Sequence, residues 1–161
     1  MMKKITTLVV ATALMWTFTN RQSYARDGSN YSSAIGVRLG APTGVSLKHF
    51  ISPHGALEAI GALYWWGAVN VTGLYEYHGD IGDVTGLRWL IGGGADLTIF
   101  NTAYYGTYTG TAIGVDFILG LDYKINSAPI DISLDWKPSF FVTGVNHFYG
   151  SGGALSIRYT F

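Results

Sequence analysis

Apolar and polar residues alternate one by one through several long stretches of this chain. The clearest run covers 111–124, where one set of positions is Ile113, Val115, Phe117, Leu119, Leu121 and Tyr123. A period of two places successive side chains on opposite faces of a β-strand. The last nine residues repeat the pattern with Leu155, Ile157, Tyr159 and Phe161. The chain is therefore predicted to be all-β, with strands that have one apolar face and one polar face.

Eight such strands are predicted, at 33–40, 44–51, 56–65, 69–77, 87–100, 111–124, 130–142 and 153–161. Short turns separate several of them; in the first turn Pro42 presets the backbone angle. We expect Pro138 to cause a bulge or a break in the seventh strand. Gly92-Gly93-Gly94 indicates sharp curvature or close packing in the fifth. Residues 78–86 are predicted to be a polar turn, and 101–110 the longest loop.

The charged residues of these strands all fall on the polar face, which decides between a soluble barrel and a membrane barrel. They are Arg38, Lys48, Glu58, Glu76, Arg88, Asp96, Asp116, Asp122, Lys124, Asp131, Asp135, Lys137 and Arg158. The opposite face is almost uniformly aliphatic or aromatic, with Tyr and Trp near strand ends as at membrane interfaces. A soluble barrel requires apolar residues inside. The sequence therefore predicts an eight-stranded antiparallel up-and-down transmembrane β-barrel over 33–161, with charges in its interior.

Composition excludes several other classes of protein. Charged residues make up 12% of the chain, against about 25% in a typical soluble domain. No basic patch indicates a nucleic-acid partner, and the chain has no cysteine for a disulfide or a thiolate metal site. The histidines His49, His54, His78 and His147 lie far apart without metal-ligand spacing. We predict no metal and no cofactor.

The first 25 residues are predicted to be a secretory signal peptide. Lys3 and Lys4 precede an apolar stretch at 5–18, which is shorter than the ~20 residues of a membrane helix. Ser23-Tyr24-Ala25 resembles a small-x-small cleavage site, which places the cut near Ala25. The alternative is an uncleaved membrane anchor. Residues 26–32 are predicted to form a short polar leader on the periplasmic side.

Four segments carry a resemblance to a known family. They are Gly73-Leu74-Tyr75-Glu76-Tyr77-His78, Gly92-Gly93-Gly94-Ala95, Ser133-Leu134-Asp135-Trp136-Lys137-Pro138 and Gly153-Ala154-Leu155-Ser156-Ile157-Arg158-Tyr159. The mature chain resembles the small eight-stranded outer-membrane barrels, the OmpA-transmembrane and OmpX-like group. It is most similar to uncharacterised bacterial barrels within it. The resemblance implies the outer membrane of a Gram-negative bacterium and lipopolysaccharide as the surrounding lipid. It also implies a barrel-assembly machinery that reads a closing-strand signal at Tyr159 and Phe161.

The predicted function follows from a narrow interior and aromatic external connections. Eight strands leave an interior just wide enough for side chains, so we expect a porin-like but non-conducting barrel. The even strand number places both ends of the barrel in the periplasm. The connections 101–110 and 144–152 then face outward, and their aromatic and histidine side chains are candidates for binding an unknown surface ligand. These candidates are Tyr104, Tyr105, Tyr108, His147, Phe148 and Tyr149.

Two alternatives to a structural or surface-interaction protein remain open. The first is a narrow channel for protons or ions. The second is an enzyme that modifies lipid A, because some eight-stranded barrels have that activity. Resemblance to the lipid A deacylase would require His-x-Ser on a late strand, but His147 is followed by Phe148 and Tyr149. The acyltransferase type needs a helix before its barrel, and 26–31 is too short for one. We therefore expect no enzymatic activity.

Overall fold

A computed structural model describes residues 31–64, 68–100, 110–143, 148–150 and 152–161. Within these ranges the regular structure consists of strands, and no helix is long and apolar enough to cross a membrane. The strand segments are β1 (Ser33–Gly40), β2 (Gly44–Phe50), β3 (Gly55–Leu63), β4 (Ala68–Asp80), β5 (Leu87–Phe100), β6 (Gly110–Ile125), β7 (Ile130–Trp136), β8 (Ser139–Phe141), β9 (Phe148–Tyr149) and β10 (Gly153–Thr160).

The strand segments close into one antiparallel barrel. Each of β1 to β6 pairs with the next along the chain, and β10 pairs with both β7 and β1. β8 pairs with β6 beyond the end of β7, so β7 and β8 together form one barrel strand. In the same way β9 pairs with β8 and β10 pairs with β7, so β9 and β10 together form another. The ten segments therefore form eight barrel strands, two of them interrupted. The predicted all-β fold, an eight-stranded antiparallel barrel, is confirmed, as is the expected break at Pro138, which lies between β7 and β8.

The register fixes how far the strands are staggered around the barrel. From Arg38, directly paired residues can be followed around the barrel in both directions until each route reaches β5. One passes through Gly44, Ala62 and Asn70 to Thr98; the other passes through Ser156, Ser133 and Asp122 to Arg88. The routes end ten residues apart on β5. A stagger of this kind is what closing a tilted sheet requires, with strands inclined by roughly 35–45° to the barrel axis.

The two faces of the barrel wall differ sharply in composition. Burial alternates along the strands, as in β10, where Ala154, Ser156, Arg158 and Thr160 are buried and the residues between them are exposed. Large apolar side chains dominate the exposed set on every long strand. The charged side chains of the strands are instead buried, except Asp80 and Lys124 near strand ends. The barrel is thus apolar outside and largely polar inside, the reverse of a soluble barrel.

Close backbone contact explains the glycine run in β5. A Cβ atom on Gly94 would lie 1.9 Å from the Gly73 carbonyl oxygen, and one on Gly92 would lie 2.2 Å from that of Tyr75. Both glycines belong to the inner face of β5, in line with the buried Leu90 and Asp96. Glycine is therefore required at these positions, because only it lets two backbones approach so closely.

Several boundaries predicted from the sequence are wrong. β4 runs on to Asp80, so His78 lies in a strand and is buried rather than in the predicted polar turn. β2 ends at Phe50 and β3 at Leu63, each earlier than predicted. Phe148 and Tyr149, predicted to be in a loop, form β9. Pairing with the neighbouring strands decides where each strand begins and ends, and the alternation of apolar and polar residues along the chain does not show this pairing.

Candidate functional site inside the barrel

The interior of the barrel holds the charged residues that the alternation assigned to the polar face. All of the following are buried: Arg38, Lys48, Glu58, Glu76, Arg88, Asp96, Asp116, Asp122, Asp131, Asp135, Lys137 and Arg158. Lys124 is different, because its ammonium group lies at the rim and donates to the carbonyl oxygens of Ile125 and Ala128. Lys124 lies on the same face of the sheet as its pairing partner Asp131, as predicted, but near the end of its strand it is only half-buried and its bonds are to a turn.

We call the end of the barrel that carries Tyr31 and Phe161 the terminal end, and the opposite end the loop end. A large group of charges lies toward the terminal end. This central cluster consists of Lys48, Glu58, Glu76, His78, Asp122, Asp131 and Arg158. It draws residues from β2, β3, β4, β6, β7 and β10, which lie around most of the barrel. Its members come together only because the sheet is closed.

Arg158 organises one half of the central cluster. Its guanidinium donates to Glu58 Oε1 at 2.6 Å and to Asp131 Oδ2 at 3.1 Å. It also donates to the hydroxyl oxygens of Ser46 at 2.8 Å and Ser133 at 2.7 Å. The Ser46 hydroxyl in turn donates to Glu58. A buried guanidinium with this many partners is held rigidly, since each charge-assisted bond fixes its orientation.

Lys48 and His78 organise the other half. Lys48 Nζ lies 3.0 Å from Glu76 Oε2, 3.8 Å from Asp122 Oδ1 and 3.9 Å from Glu58 Oε2. His78 lies between two of these carboxylates, with Nε2 3.1 Å from Glu76 and Nδ1 3.5 Å from Asp122. Sequence reasoning missed His78, although the period of two through Asn70, Thr72 and Glu76 continues to it.

Smaller polar groups occupy the rest of the interior. Arg38 forms a two-pronged pair with Asp135, with both nitrogen–oxygen distances 2.6 Å. Lys137 Nζ donates to Asp116 Oδ2 at 2.8 Å and to the Ser139 hydroxyl at 3.1 Å. Asp96 accepts from Asn70 at 2.8 Å. Buried charges are tolerated when they are paired and hydrogen-bonded in this way.

An apolar layer separates the polar groups of four neighbouring strands. It consists of Ile60, Ala62, Leu74, Leu90 and Ile118, which are buried and in mutual contact. On β4, Leu74 lies between Thr72 toward the loop end and Glu76 toward the terminal end. Sequence reasoning missed this layer, because in these strands apolar residues occur on both faces and the alternation alone cannot rank them. Along these four strands the interior is a packed apolar core.

Aromatic side chains fill the terminal end of the barrel. Tyr31 packs edge-on against Phe50 with ring centroids 5.2 Å apart, and the Arg88 guanidinium lies 5.7 Å from the Phe50 ring centroid. Arg88 also pairs with the half-exposed Asp80 at 3.1 Å. Burial, together with the nearby carboxylates of Asp122 and Asp131, raises the pKa of the Tyr31 hydroxyl well above its usual value. Tyr31, predicted to be part of a polar leader, thus closes the barrel end instead.

The other predicted site residues lie at the surface or outside the described residues. Tyr159 and Phe161 are exposed and stacked, with ring centroids 6.4 Å apart. Phe148 is exposed, and the backbone of Tyr149 pairs with Ser139. Tyr104, Tyr105, Tyr108 and His147, proposed for ligand binding, fall outside the ranges that the structure describes, as does the predicted signal peptide.

No protein-family model matches the chain, and no curated protein is significantly similar to it. Among the described residues no group of His, Asp and Glu has an arrangement suited to a metal ion. What the interior offers chemically is a dense set of ion pairs and shared carboxylates, enclosed by aromatic rings at one end and crossed by an apolar layer.

Proposed function

We propose that this protein is an integral outer-membrane β-barrel whose closed, charge-filled interior makes it a structural and surface-presenting protein rather than a pore. The observation that carries the proposal is the inverted arrangement of its wall, with aliphatic side chains exposed and ion pairs buried. An exposed apolar surface that runs around a whole barrel is stable only in contact with lipid or another apolar phase.

Aromatic residues on the outer face support a position across a bilayer. Tyr77, Trp89, Tyr123 and Tyr159 are exposed toward the terminal end, whereas Trp136, Phe140 and Phe148 are exposed toward the loop end. Between these two sets the outer face is mostly aliphatic. Aromatic girdles on either side of an apolar band are typical of barrels that span the outer membrane. The resemblance of the chain to small outer-membrane barrels agrees with this location.

The packing of the interior supports a closed barrel. The apolar layer crosses four strands, and the rings of Tyr31 and Phe50 fill the terminal end. The charged side chains that remain form ion pairs with one another, such as Arg38 with Asp135 and Lys137 with Asp116. We propose that the external connections meet lipopolysaccharide or an extracellular ligand, while the barrel serves as their anchor.

A pair of charge insertions tests the location. Val115 is exposed in the middle of β6, whereas Val84 is equally exposed in the turn between β4 and β5. Val115→Lys should reduce folding stability in lipid vesicles by about 2–4 kcal/mol, and Val84→Lys by about 0–1 kcal/mol. Urea unfolding in vesicles measures both. Equal effects, or a wild-type protein that stays folded in water without detergent, would contradict the proposal.

The same vesicle preparation tests closure. Planar bilayers that contain the folded wild-type protein should show no steady conductance steps. Reproducible single-channel steps would overturn the closed-barrel part of the proposal and favour the narrow channel, without affecting the membrane location.

A further inference from the structure

Two rings cover the terminal end of the barrel interior. Tyr31, Ala34, Phe50 and Ala56 are buried in one cluster of contacts, and neither alanine has any exposed surface. Ala34 is directly paired with Lys48, so Phe50, two residues further along β2, lies nearer the terminal end on the same inner face. Tyr31 lies there too, before the start of β1. The two rings therefore form a layer between the mouth of the barrel and the small side chains below it.

Arg88 contacts this layer from β5, which lies on the opposite side of the barrel from β1. Its guanidinium lies 5.7 Å from the Phe50 ring centroid, which is a cation–π contact. Its Nη2 donates to the Pro53 carbonyl oxygen at 3.0 Å, in the turn after β2, and its Nε lies 3.1 Å from Asp80 Oδ1 at the rim. Arg88 thus links β2, the turn after it and the end of β4. We call the side chains of Tyr31, Phe50 and Arg88 the cap.

The central cluster lies directly beneath the cap. The Phe50 ring centroid is 4.9 Å from the centroid of the His78 ring. Lys48 is the next inward-facing residue of β2 after Phe50. Arg88 is directly paired with Asp122 on β6, so it borders the cluster on that side. Water that passed the cap would therefore meet the most highly charged part of the interior.

The cap is attached less firmly than the wall around it. Its members contact one another through side chains, whereas continuous ladders of backbone bonds join the strands. The Asp80 side chain that Arg88 contacts is 59% exposed, and solvent weakens such a pair. Groups with few buried contacts open locally at a lower cost in free energy than the whole fold. The cap is therefore the part of this end that can move while the ladders stay intact.

We propose that the cap is a gate, which opens to admit water and small solutes from the terminal end to the central cluster while the barrel wall stays folded. Opening requires that Phe50 and Arg88 change rotamer and that the Tyr31 ring leaves the mouth, so no ladder bond breaks. The closed cap keeps the ion pairs of the cluster dry, which strengthens their attraction, and the open cap hydrates them. The gate rests on the closed interior proposed above, but not on a location in a membrane.

A single introduced thiol can report access to the interior, because the chain has no cysteine of its own. Ala34→Cys places the thiol beneath the cap, Val84→Cys on an exposed turn, and Ala154→Cys on the buried inner face near the loop end. Each folded protein is treated in detergent micelles with a small charged methanethiosulfonate reagent, and mass spectrometry gives the rate of labelling. The mobility of unboiled samples on gels confirms that each variant is folded.

Ala34→Cys should react at least about 100-fold more slowly than Val84→Cys, because the reagent must wait for the cap to open. Adding Phe50→Ala should raise the rate at Ala34→Cys at least about tenfold. Tyr31→Ala should raise it as well, and it alters no strand because Tyr31 precedes β1. Phe161→Ala removes an exposed ring at the same end. It is the matched control and should leave the rate within about twofold of its starting value.

The rate at Ala34→Cys relative to Val84→Cys also gives the fraction of time that the cap is open. For a gate, this fraction should exceed the unfolded fraction, measured by urea unfolding of the same protein, by at least about tenfold. A fraction equal to the unfolded one, or no increase with Phe50→Ala and Tyr31→Ala, would overturn the gate and leave the interior closed. Ala34→Cys reacting as fast as Val84→Cys would mean that no cap covers it. If Ala154→Cys then reacted equally fast, the interior would be open and the proposed function would fail as well.

Discussion

Some of the buried charges in this barrel depend on one charged partner. Arg38 and Asp135 illustrate the point, because both side chains are buried and each offers the other two bonds. The pair joins β1 to β7 across β10, which lies between them. Its net contribution to stability is small, since desolvation offsets the attraction, but the loss of one member leaves an unpaired charge.

Asp135→Leu should therefore destabilise the protein by about 3–5 kcal/mol, because it leaves the Arg38 guanidinium buried without a counter-charge. The double variant Arg38→Leu/Asp135→Leu should recover a large part of that loss. Urea unfolding at constant pH measures all three proteins. A single variant that unfolds at the wild-type midpoint, or a double variant less stable than the single one, would mean that the pair is not isolated from water.

At the scale of the strand, the close approach of β4 and β5 leaves no space for a Cβ atom on Gly92 or Gly94. Gly94 and Gly73 lie on opposite faces of this hairpin. A Cβ on Gly94 would collide with the Gly73 carbonyl oxygen, whereas a Cβ on Gly73 would meet nothing within 4 Å. The two positions therefore form a matched pair of glycines with similar chain context and opposite expectations.

Gly94→Ala should destabilise the barrel by about 2 kcal/mol or more, because two backbones must move apart. Gly73→Ala should be neutral or stabilise it by about 0.5–1 kcal/mol, through the lower entropy of the unfolded chain. Unfolding midpoints in detergent give both values. If the two variants behave alike, glycine in β5 serves the flexibility of the chain and not the close approach.

The strands themselves could be predicted from the sequence, because the alternation of apolar and polar residues depends only on neighbouring positions and matches the two faces of the folded barrel. The bounds of β1 and β5 agree with the alternation, and Pro138 interrupts the seventh barrel strand as expected. The pairing inside the barrel could not be predicted. Arg158 meets Glu58 across a hundred positions of sequence, and only the stagger of the closed sheet brings them together. The apolar layer and His78 depend on the same three-dimensional register.

The barrel as a whole is closed by one strand pair, between β1 and β10. The last residues complete it: the Phe161 amide donates to the Ser33 carbonyl oxygen at 2.8 Å, and the Ser33 amide donates to that of Phe161 at 2.9 Å. Until this pair forms, both strands expose unpaired backbone groups, which an apolar medium does not tolerate. Closure therefore brings together the contacts that cross this seam, such as that of Arg158 on β10 with Glu58 on β3.

Deleting 159–161 should prevent accumulation of the folded barrel in the membrane, because the seam with β1 loses its final pairs. Deleting three residues from the longest predicted loop, 101–110, should leave accumulation within about twofold of wild type, since surface loops tolerate changes of length. Cell fractionation followed by gels of unboiled samples compares the two. If the loop deletion is the more damaging, that loop is part of the structure and the closing strand is not decisive.

The stagger of ten residues also restricts how the chain can change over generations. Side chains alternate between the inner and outer faces along each strand. Following paired residues once around the barrel therefore leads from an inward-facing residue to another inward-facing residue only when the stagger is an even number of residues. An inherited insertion of one residue within β6 would turn every following residue of that strand inside out, unless a bulge absorbed it. Descendants of this sequence should therefore lengthen or shorten their strands in steps of two. Odd changes should accumulate in the connections, where no such parity rule applies.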